Sequence, residues 1–429
     1  MFRTIYAAGT LGLFLGGTAC AQPTYYEGAI ENNGDQLGIR LTIDPDDAAA
    51  TTLDIPQLWY AEEPIEASVT SDGHVVATFP FGLGEMNFAP TDEGWATDGT
   101  PRIAELREGT AAPYSKTDIR FGQDDRALEG TLYVPDGAGP HPAVIIVGGS
   151  GSGSRSEWTY RSKADYYARL GVAALVYDRP AYGEIFADGS TPDFWSHAKD
   201  LDVARTALAQ RRDIDGAAIG LHGGSQGVWL STIAQAEHGG FAFMVMTGFP
   251  AVSPGDQQLH SLIYGMRDDT VDESIIAGAI AYQRLYFAVA HNQQGWETLQ
   301  QAMEDGADAD WFQYVDQPES VDDLQWWAHH QAYEPRDHLS QITIPILAMT
   351  GEGDWITPPV ENLPKLESYA SRAGNEHVVT MVLPGADHRL ERSPWEDEDG
   401  QWHWFEIASE ARAAIPAFLE DHVGLDLNN

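Results

Sequence analysis

Cysteine is almost missing from this chain: among 429 residues only Cys20 is one. It lies in or beside an apolar leader, so the mature chain has no disulfides and no thiol chemistry, and its stability in an oxidising compartment has to come from packing. Positive charge is scarce as well. Lys and Arg number 24 against 65 Asp and Glu, a formal net charge of −41. That balance argues against nucleic acid and against an anionic membrane as partners, because both would be repelled, and it suits solubility in salty surroundings. The glycine-rich stretch Gly148–Gly153 lacks a closing Gly-Lys-Ser/Thr, which argues against nucleotide binding. Residues that could hold a metal do not converge either: His329 and His330 are adjacent, and consecutive residues on a helix point about 100° apart. No metal and no cofactor is expected.

What is present starts with an export signal. Arg3 is followed by a short apolar core from Ile5 to Gly17 and then by small residues, too little for a transmembrane anchor. Ala19-Cys20-Ala21 fits a cleavage site before Gln22, giving a leader over 1–21 and an exported, periplasmic or extracellular protein. The alternative is a lipoprotein anchored at Cys20, with Gly17 where a leucine is usual. From Tyr25 to about Thr100 short strand-like runs, such as Gly38–Ile43, Ala67–Val69 and His74–Phe79, alternate with Gly, Pro and Asp clusters. That pattern predicts a small antiparallel β domain over 22–112, a sandwich or half-barrel, with Pro101–Pro113 as a linker.

Past Ser115 the pattern changes. Ser115–Phe121 and Ala127–Val134 read as paired strands joined by 122–126, and Ala143-Val144-Ile145-Ile146-Val147 is a continuous apolar run suited to a strand buried on both faces. Helices over about 162–170 and 193–212 alternate with strands at 172–177, before Ser225, at 241–247, at 344–350 and at 378–383; a closing helix spans 406–423, bent near Pro416. Alternation of this kind predicts an α/β fold with a mostly parallel, doubly wound sheet over 113–424. Nearly a hundred residues separate Thr247 from Ile344 where a dozen would make the crossover, and the excess is helical, so a helical lid is expected over about 252–338.

The chemistry is expected at the strand ends. Gly223-Gly224-Ser225-Gln226-Gly227 is G-x-S-x-G between an apolar run and a helix, a tight turn that exposes a serine hydroxyl as a nucleophile. Serine needs an imidazole base, and the imidazole needs a carboxylate to fix its tautomer. Strand 346–350 runs through Gly351 and Gly353 into Asp354, and strand 378–383 runs into His388, giving the order Ser225, Asp354, His388. Asp387 and Glu352 are rival carboxylates, the first adjacent to His388 and the second ahead of the turn. Donors for a developing oxyanion are expected from the backbone N–H of Gln226 and from Ser150 in the glycine loop. The lid carries many large rings, and Trp326 and Trp327, with help from Trp395, Trp402 and Trp404, are candidates for an apolar substrate pocket.

On these residues the chain resembles the α/β-hydrolase superfamily. The likeness covers about 115–423 and rests on Gly223–Gly227, on Asp354 and His388 in order, and on Tyr177-Asp178-Arg179-Pro180-Ala181-Tyr182-Gly183, which is similar to the D-x-R-G-x-G turn of these enzymes except for Pro180 in place of glycine. The arrangement looks most like bacterial secreted esterases near the dipeptidyl-peptidase and acyl-CoA thioesterase-like branches. The resemblance implies a serine hydrolase that cleaves small-molecule carboxylic esters through an acyl-enzyme. The alternatives are a propeller-free serine peptidase, since roughly 80 residues before Thr100 cannot build several propeller blades of about 40 to 45 residues each, an acyl-CoA thioesterase or acyltransferase, and a binding protein on a retired scaffold. Oligomeric state is not legible.

Overall fold

The computed structural model describes residues 22–427 apart from 33–34, 98–103, 124–126, 152, 182–183, 185–191, 397–401 and 404. The leader with Cys20, the Tyr182–Gly183 end of the D-x-R-like turn and Trp404 therefore lie outside the described residues.

The first nine strands form one antiparallel sheet: β1 (Thr24–Asn32), β2 (Asp35–Ile43), β3 (Thr52–Ile55), β4 (Tyr60–Pro64), β5 (Ala67–Val69), β6 (Val75–Phe79), β7 (Gly84–Thr91), β8 (Gly94–Ala96) and β9 (Ala104–Glu108). Their order is β4-β3-β2-β1-β9-β8-β7-β6-β5. The inward side chains, from Tyr26 on β1 to Leu106 on β9, collect in one core cluster, so the domain is a single curled sheet and not two stacked ones. Part of the expected linker over 101–113 is in fact β9, paired to both β1 and β8. The reason is a period of two hidden among charges: Ala104 and Leu106 are buried while Glu105, Arg107 and Glu108 face water.

The second sheet contains β10 (Tyr114–Phe121), β11 (Leu128–Pro135), β12 (His141–Val147), β13 (Ala173–Tyr177), β14 (Ile214–Gly224), β15 (Met244–Thr247), β16 (Ile346–Gly351) and β17 (Val378–Leu383), in the order β10-β11-β13-β12-β14-β15-β16-β17. β10 and β11 pair antiparallel and everything from β13 to β17 is parallel. β12 shows why its apolar run has no alternation. Ala143, Ile145 and Val147 face one core cluster and Val144 and Ile146 the other, so both sides of the strand are dry. One face is covered by α1 (Trp158–Arg169) and, near the C-terminus, α10 (Ser409–Phe418). The other is covered by α2 (Phe194–Ala209), α3 (Gln226–Glu237) and α9 (Pro359–Ala373). α2 starts on a capping box, with Asp193 accepting from the Ser196 N–H and the Ser196 side chain bonding back.

Between β15 and β16 lie α4 (Pro254–Asp268), α5 (Glu273–Asn292), α6 (Trp296–Gly306), α7 (Gln325–His330) and α8 (Pro335–Leu339). α5 buries Ile276, Ala279, Tyr282, Tyr286 and Ala290, and the insertion has its own core cluster. It joins the sheet on the α2–α3 face, where Tyr333 and Leu339 enter the larger cluster. After β17 come two small pairs, β18 (Glu391–Arg392) with β21 (Glu406–Ile407), and β19 (Trp395–Glu396) with β20 (Trp402–His403). The closing helix thus begins at Ser409 and not at 406, because Glu406 and Ile407 are held as a strand; beyond Phe418 it loosens into a π-turn over Leu419–Val423, just past Pro416.

The small domain sits on the α1–α10 face. Trp59 is buried in the same cluster as Tyr167, Ile407 and Ala408. Glu62 accepts hydrogen bonds from the hydroxyls of Tyr114 (3.0 Å) and Tyr133 (2.9 Å), and Tyr114 also donates to Asp165 at 2.7 Å.

Candidate active site

Ser225 stands between the end of β14 and the start of α3 with φ 53° and ψ −122°, a conformation that side chains other than glycine seldom adopt. The turn closes only with glycines around it. A β-carbon on Gly223 would come within 2.7 Å of the Gly227 carbonyl oxygen, and one on Gly227 within 2.3 Å of the Val147 oxygen. The spacing G-x-S-x-G is therefore a packing requirement of strand, helix and neighbouring strand β12. The Ser225 backbone N–H donates to the Thr247 carbonyl (2.9 Å), and its side chain makes no capping hydrogen bond to α3, so the hydroxyl is not committed to its own helix.

The end of β15 carries the geometry on to His388. Gly248 follows Thr247, and a β-carbon there would lie 2.7 Å from His388 Cε1. His388 and Asp354 both leave adjacent parallel strands, β17 and β16. Nδ1 of His388 lies 3.0 Å from Oδ1 and 2.9 Å from Oδ2 of Asp354. With Nδ1–H donating to the carboxylate, Nε2 carries the lone pair. Asp354 is itself fully held: Ile356 N–H (3.0 Å) and Thr357 N–H (2.8 Å) donate to Oδ1, and the hydroxyls of Thr350 (3.1 Å) and Thr357 (2.6 Å) donate to Oδ2. Burial pushes the Asp354 carboxyl up, but the hydrogen bond and charge of His388 and the bonds from Thr357 outweigh it and hold the group below the usual carboxylate range. Its side chain is 0% exposed against 19% for His388. The two rival carboxylates are spent on loop structure, Asp387 on the N–H groups of Arg389 and Glu391 and Glu352 on the N–H of Gly385.

Gly148–Gly151, with Gly153 and Ser154, lie in the loop beside the serine. A β-carbon on Gly149 would stand 3.4 Å from Ser225 Cβ, so the loop lies directly against the nucleophile. Arg179, 8% exposed, donates Nη1 to the Gly148 oxygen (2.9 Å) and Nη2 to the oxygens of Gly149 (2.6 Å) and Gly151 (3.3 Å). A trans peptide holds its C=O and N–H in one plane and pointing opposite ways. The bond to the Gly148 oxygen therefore aims the Gly149 N–H away from Arg179, where it meets the Tyr160 hydroxyl. The bond to the Gly149 oxygen likewise aims the Ser150 N–H away from Arg179. Ser150 itself is exposed. Asp178 ties the far end of the loop, accepting from the Arg155 N–H at 2.8 Å.

Residue patterns alone missed Thr350, Thr357 and Tyr160, and gave Arg179 only through the D-x-R likeness. Asp354-x-x-Thr357 is a turn signature that could have pointed to Thr357; nothing local marks Tyr160. Trp326 and Trp327 go to different cores, and neither has a described contact with Ser225. Trp326 packs on Phe194 (5.9 Å) and His330 (4.9 Å), and Trp327 packs on Phe287 (4.9 Å). His330 Nδ1 lies 2.8 Å from the Trp326 carbonyl oxygen, and its ring stands 6.1 Å from that of His329. Among the described residues no group of three or more His, Cys, Asp or Glu side chains is arranged to hold a metal. No helix of the described residues is long and apolar enough to cross a membrane. Trp395 and Trp402 fall on β19 and β20.

A model of the alpha/beta hydrolase family matches residues 143–402, more than half the chain and the whole stretch from β12 past His388. The chain belongs to the alpha/beta hydrolase family. Hydrolysis is the class of activity that membership supports. No curated protein matches the chain. Among solved structures it is similar to an esterase of Pyrococcus furiosus, at 17% identity and a TM-score of 0.46 over 74% of this chain and 96% of that one. It is similar too to a dienelactone hydrolase from Anabaena variabilis, at 15% identity and a TM-score of 0.42 over 72% and 99%. A 2,6-dihydroxy-pseudo-oxynicotine hydrolase matches at 18% identity and a TM-score of 0.42 over 65% of this chain, which spans 63% of that hydrolase's length.

Proposed function

We propose that this alpha/beta hydrolase is a serine carboxylesterase that works through an acyl-enzyme on Ser225. The observation that carries the reading is His388 Nδ1 within 3.0 Å of both Asp354 oxygens, past the ends of β17 and β16 in the parallel sheet whose strand β14 ends at a serine held at φ 53°. Nε2 of His388 takes the Ser225 proton as Oγ attacks the acyl carbon. The tetrahedral oxyanion is met by the N–H of Gln226 at the start of α3 and the N–H of Ser150, which the Arg179 brace turns away from itself. Collapse returns the proton from His388 to the leaving alcohol, and a water repeats the sequence to release the acid. Trp326 and Trp327, half-buried on α7 of the insertion, are the candidates for chain-length selection.

A fluorophosphonate should label the protein on the peptide that contains Ser225, and Ser225→Ala should abolish labelling and lower ester turnover by several orders of magnitude. The panel should set short-chain and long-chain esters against aminoacyl anilides and acyl-CoA. Near-normal turnover by Ser225→Ala on any of them would overturn the mechanism; preferential cleavage of anilides or of acyl-CoA would replace the esterase reading by a peptidase or a thioesterase.

A further inference from the structure

The stretch 248–257, from the end of β15 into the first turn of α4, passes all three catalytic elements in turn. Gly248 lies against the His388 ring. The Val252 carbonyl accepts the indole N–H of Trp229 at 3.2 Å, one turn into the helix that starts after Ser225. Residues 248–255 are buried, and Ser253 caps α4, accepting from the Asp256 N–H at 3.1 Å with Pro254 in the first turn. Gln257 then donates its side-chain N–H to the Ile356 carbonyl at 3.0 Å, in the loop that follows Asp354.

That bond reaches Asp354 through one peptide. The C=O of Ile356 and the N–H of Thr357 share a plane and point opposite ways. With the oxygen held by Gln257, the N–H faces away from Gln257 and donates to Asp354 Oδ1 at 2.8 Å. The hydroxyl of the same Thr357 donates to Oδ2 at 2.6 Å. One residue thus grips both carboxylate oxygens, the pair that His388 Nδ1 meets at 3.0 and 2.9 Å. α4 is fitted to this side of the site at two further points. Trp355, next to Asp354, lies over Gly265, where a β-carbon would come within 3.0 Å of its ring, and Tyr264 donates to Glu361 of α9 at 3.2 Å. Those contacts seat the helix. The Gln257 bond differs from them, because it ends on the peptide whose other side holds the carboxylate.

We propose that Gln257 is a positioning residue for Asp354, and that the first turn of the lid thereby forms part of the support of the catalytic acid. This rests on the esterase reading above. In acylation and in deacylation His388 gains a proton, and the imidazolium is stabilised only by a carboxylate that stays in line with Nδ1. Once the Ile356–Thr357 peptide is free to turn, Thr357 and the carboxylate it grips can tilt. Alignment lost there slows the chemistry without weakening substrate binding.

The test sets Gln257→Met, which keeps the length of the side chain and donates nothing, beside Gln257→Glu, which keeps its shape and has no donor at pH 8. Tyr264→Phe is the control, since it removes a tie of the same helix that does not touch the Ile356–Thr357 peptide. Turnover of p-nitrophenyl acetate is measured on variants shown to be folded by circular dichroism, with fluorophosphonate titration counting competent sites. Both Gln257 variants should lose about tenfold or more in kcat per labelled site with KM within about twofold. The loss should stay well short of the roughly 10⁴ expected for a missing carboxylate, because Thr350, the Ile356 N–H and the Thr357 hydroxyl still donate to Asp354. Tyr264→Phe should stay within about twofold of wild type in kcat. A kcat within twofold of wild type in either folded Gln257 variant, a loss confined to KM, or an equal fall in Tyr264→Phe would overturn the proposal and leave Gln257 an anchor of the lid. A wild-type protein that cleaves no ester and takes no fluorophosphonate on Ser225 would overturn the esterase reading and this proposal with it.

Discussion

Arg179→Met tests whether the glycine loop is held for catalysis or only for folding. The substitution keeps much of the side-chain length and removes three donated hydrogen bonds, at 2.9, 2.6 and 3.3 Å, from a residue that is 8% exposed. Hydrogen bonds from a charged donor are worth about 1.5–3 kcal/mol each, and bonds that share one donor group are not additive, so a stability loss of about 3–5 kcal/mol is expected. Catalysis should suffer separately. Once the Gly149 oxygen is released, its peptide plane is free to rotate and the Ser150 N–H loses its fixed direction. Loss of one oxyanion donor costs about 10²–10³ in kcat, or about 2.7–4 kcal/mol of transition-state stabilisation. The assay is ester turnover at a temperature where circular dichroism shows the variant folded, with fluorophosphonate titration counting competent sites. kcat per labelled site should fall by that factor with KM within about twofold, since the ground-state carbonyl gains little from the donor. Arg179→Lys, with one ammonium for three acceptors, should fall between. A kcat within threefold of wild type, together with a lowered melting temperature, would refute the reasoning and leave Arg179 a folding residue.

Further outcomes follow from the same geometry. In Asp354→Asn the amide oxygen should stay on the N–H groups of Ile356 and Thr357, which turns the NH₂ toward His388 Nδ1 and drives the ring proton to Nε2; kcat should drop by about 10⁴, and a loss below tenfold would show that the carboxylate does not set the tautomer. At the domain junction, burial and then the neighbouring Asp165 raise Asp54 from 3.8 to about 6, against the Glu62 N–H, Arg169 and Arg40. The folded protein thus holds that proton more tightly than the unfolded chain, and this group's contribution to stability rises as pH falls through about 6 toward 3.8. The lowered carboxyl of Asp354 works in the opposite direction at still lower pH, where its contribution is lost. Asp54→Asn should flatten the change in melting temperature between pH 7 and pH 5, and an unchanged slope would place the dependence elsewhere. With a net charge of −41, self-repulsion should be screened as the Debye length shrinks from about 30 Å at 0.01 M to about 3 Å at 1 M salt; the melting temperature should climb over that range, and a flat or falling curve would mean that the acidic surface costs the fold nothing.

What was legible in the chain is what lies close in sequence. Ser225, Asp354 and His388 each follow an apolar strand within a few residues, and the glycines that let the elbow close stand two positions either side of the serine, so strand, turn and nucleophile appear in one short window. The glycine loop after β12 could be placed for the same reason. The parts that hold these residues in register come from farther away. Arg179 reaches carbonyls 28 to 31 residues upstream, and its long side chain could as easily have been a surface cation; only the fold shows it buried against the loop. The docking of the small domain is more remote still. Tyr114 meets Asp165 across 51 residues and Tyr133 meets Glu62 across 71. Neither the run Pro56–Pro64 nor the turn at Phe81 has a helical or strand period to mark it, because their side chains are placed by left-handed backbone positions, which break any period. Such positions are costly in a marginally stable chain. Trp59 and Glu62 repay the cost by burial and hydrogen bonding across the domain boundary. Phe81 is held by edge-to-face contacts with Tyr60 at 5.2 Å and, across the same boundary, with Phe405 at 5.3 Å.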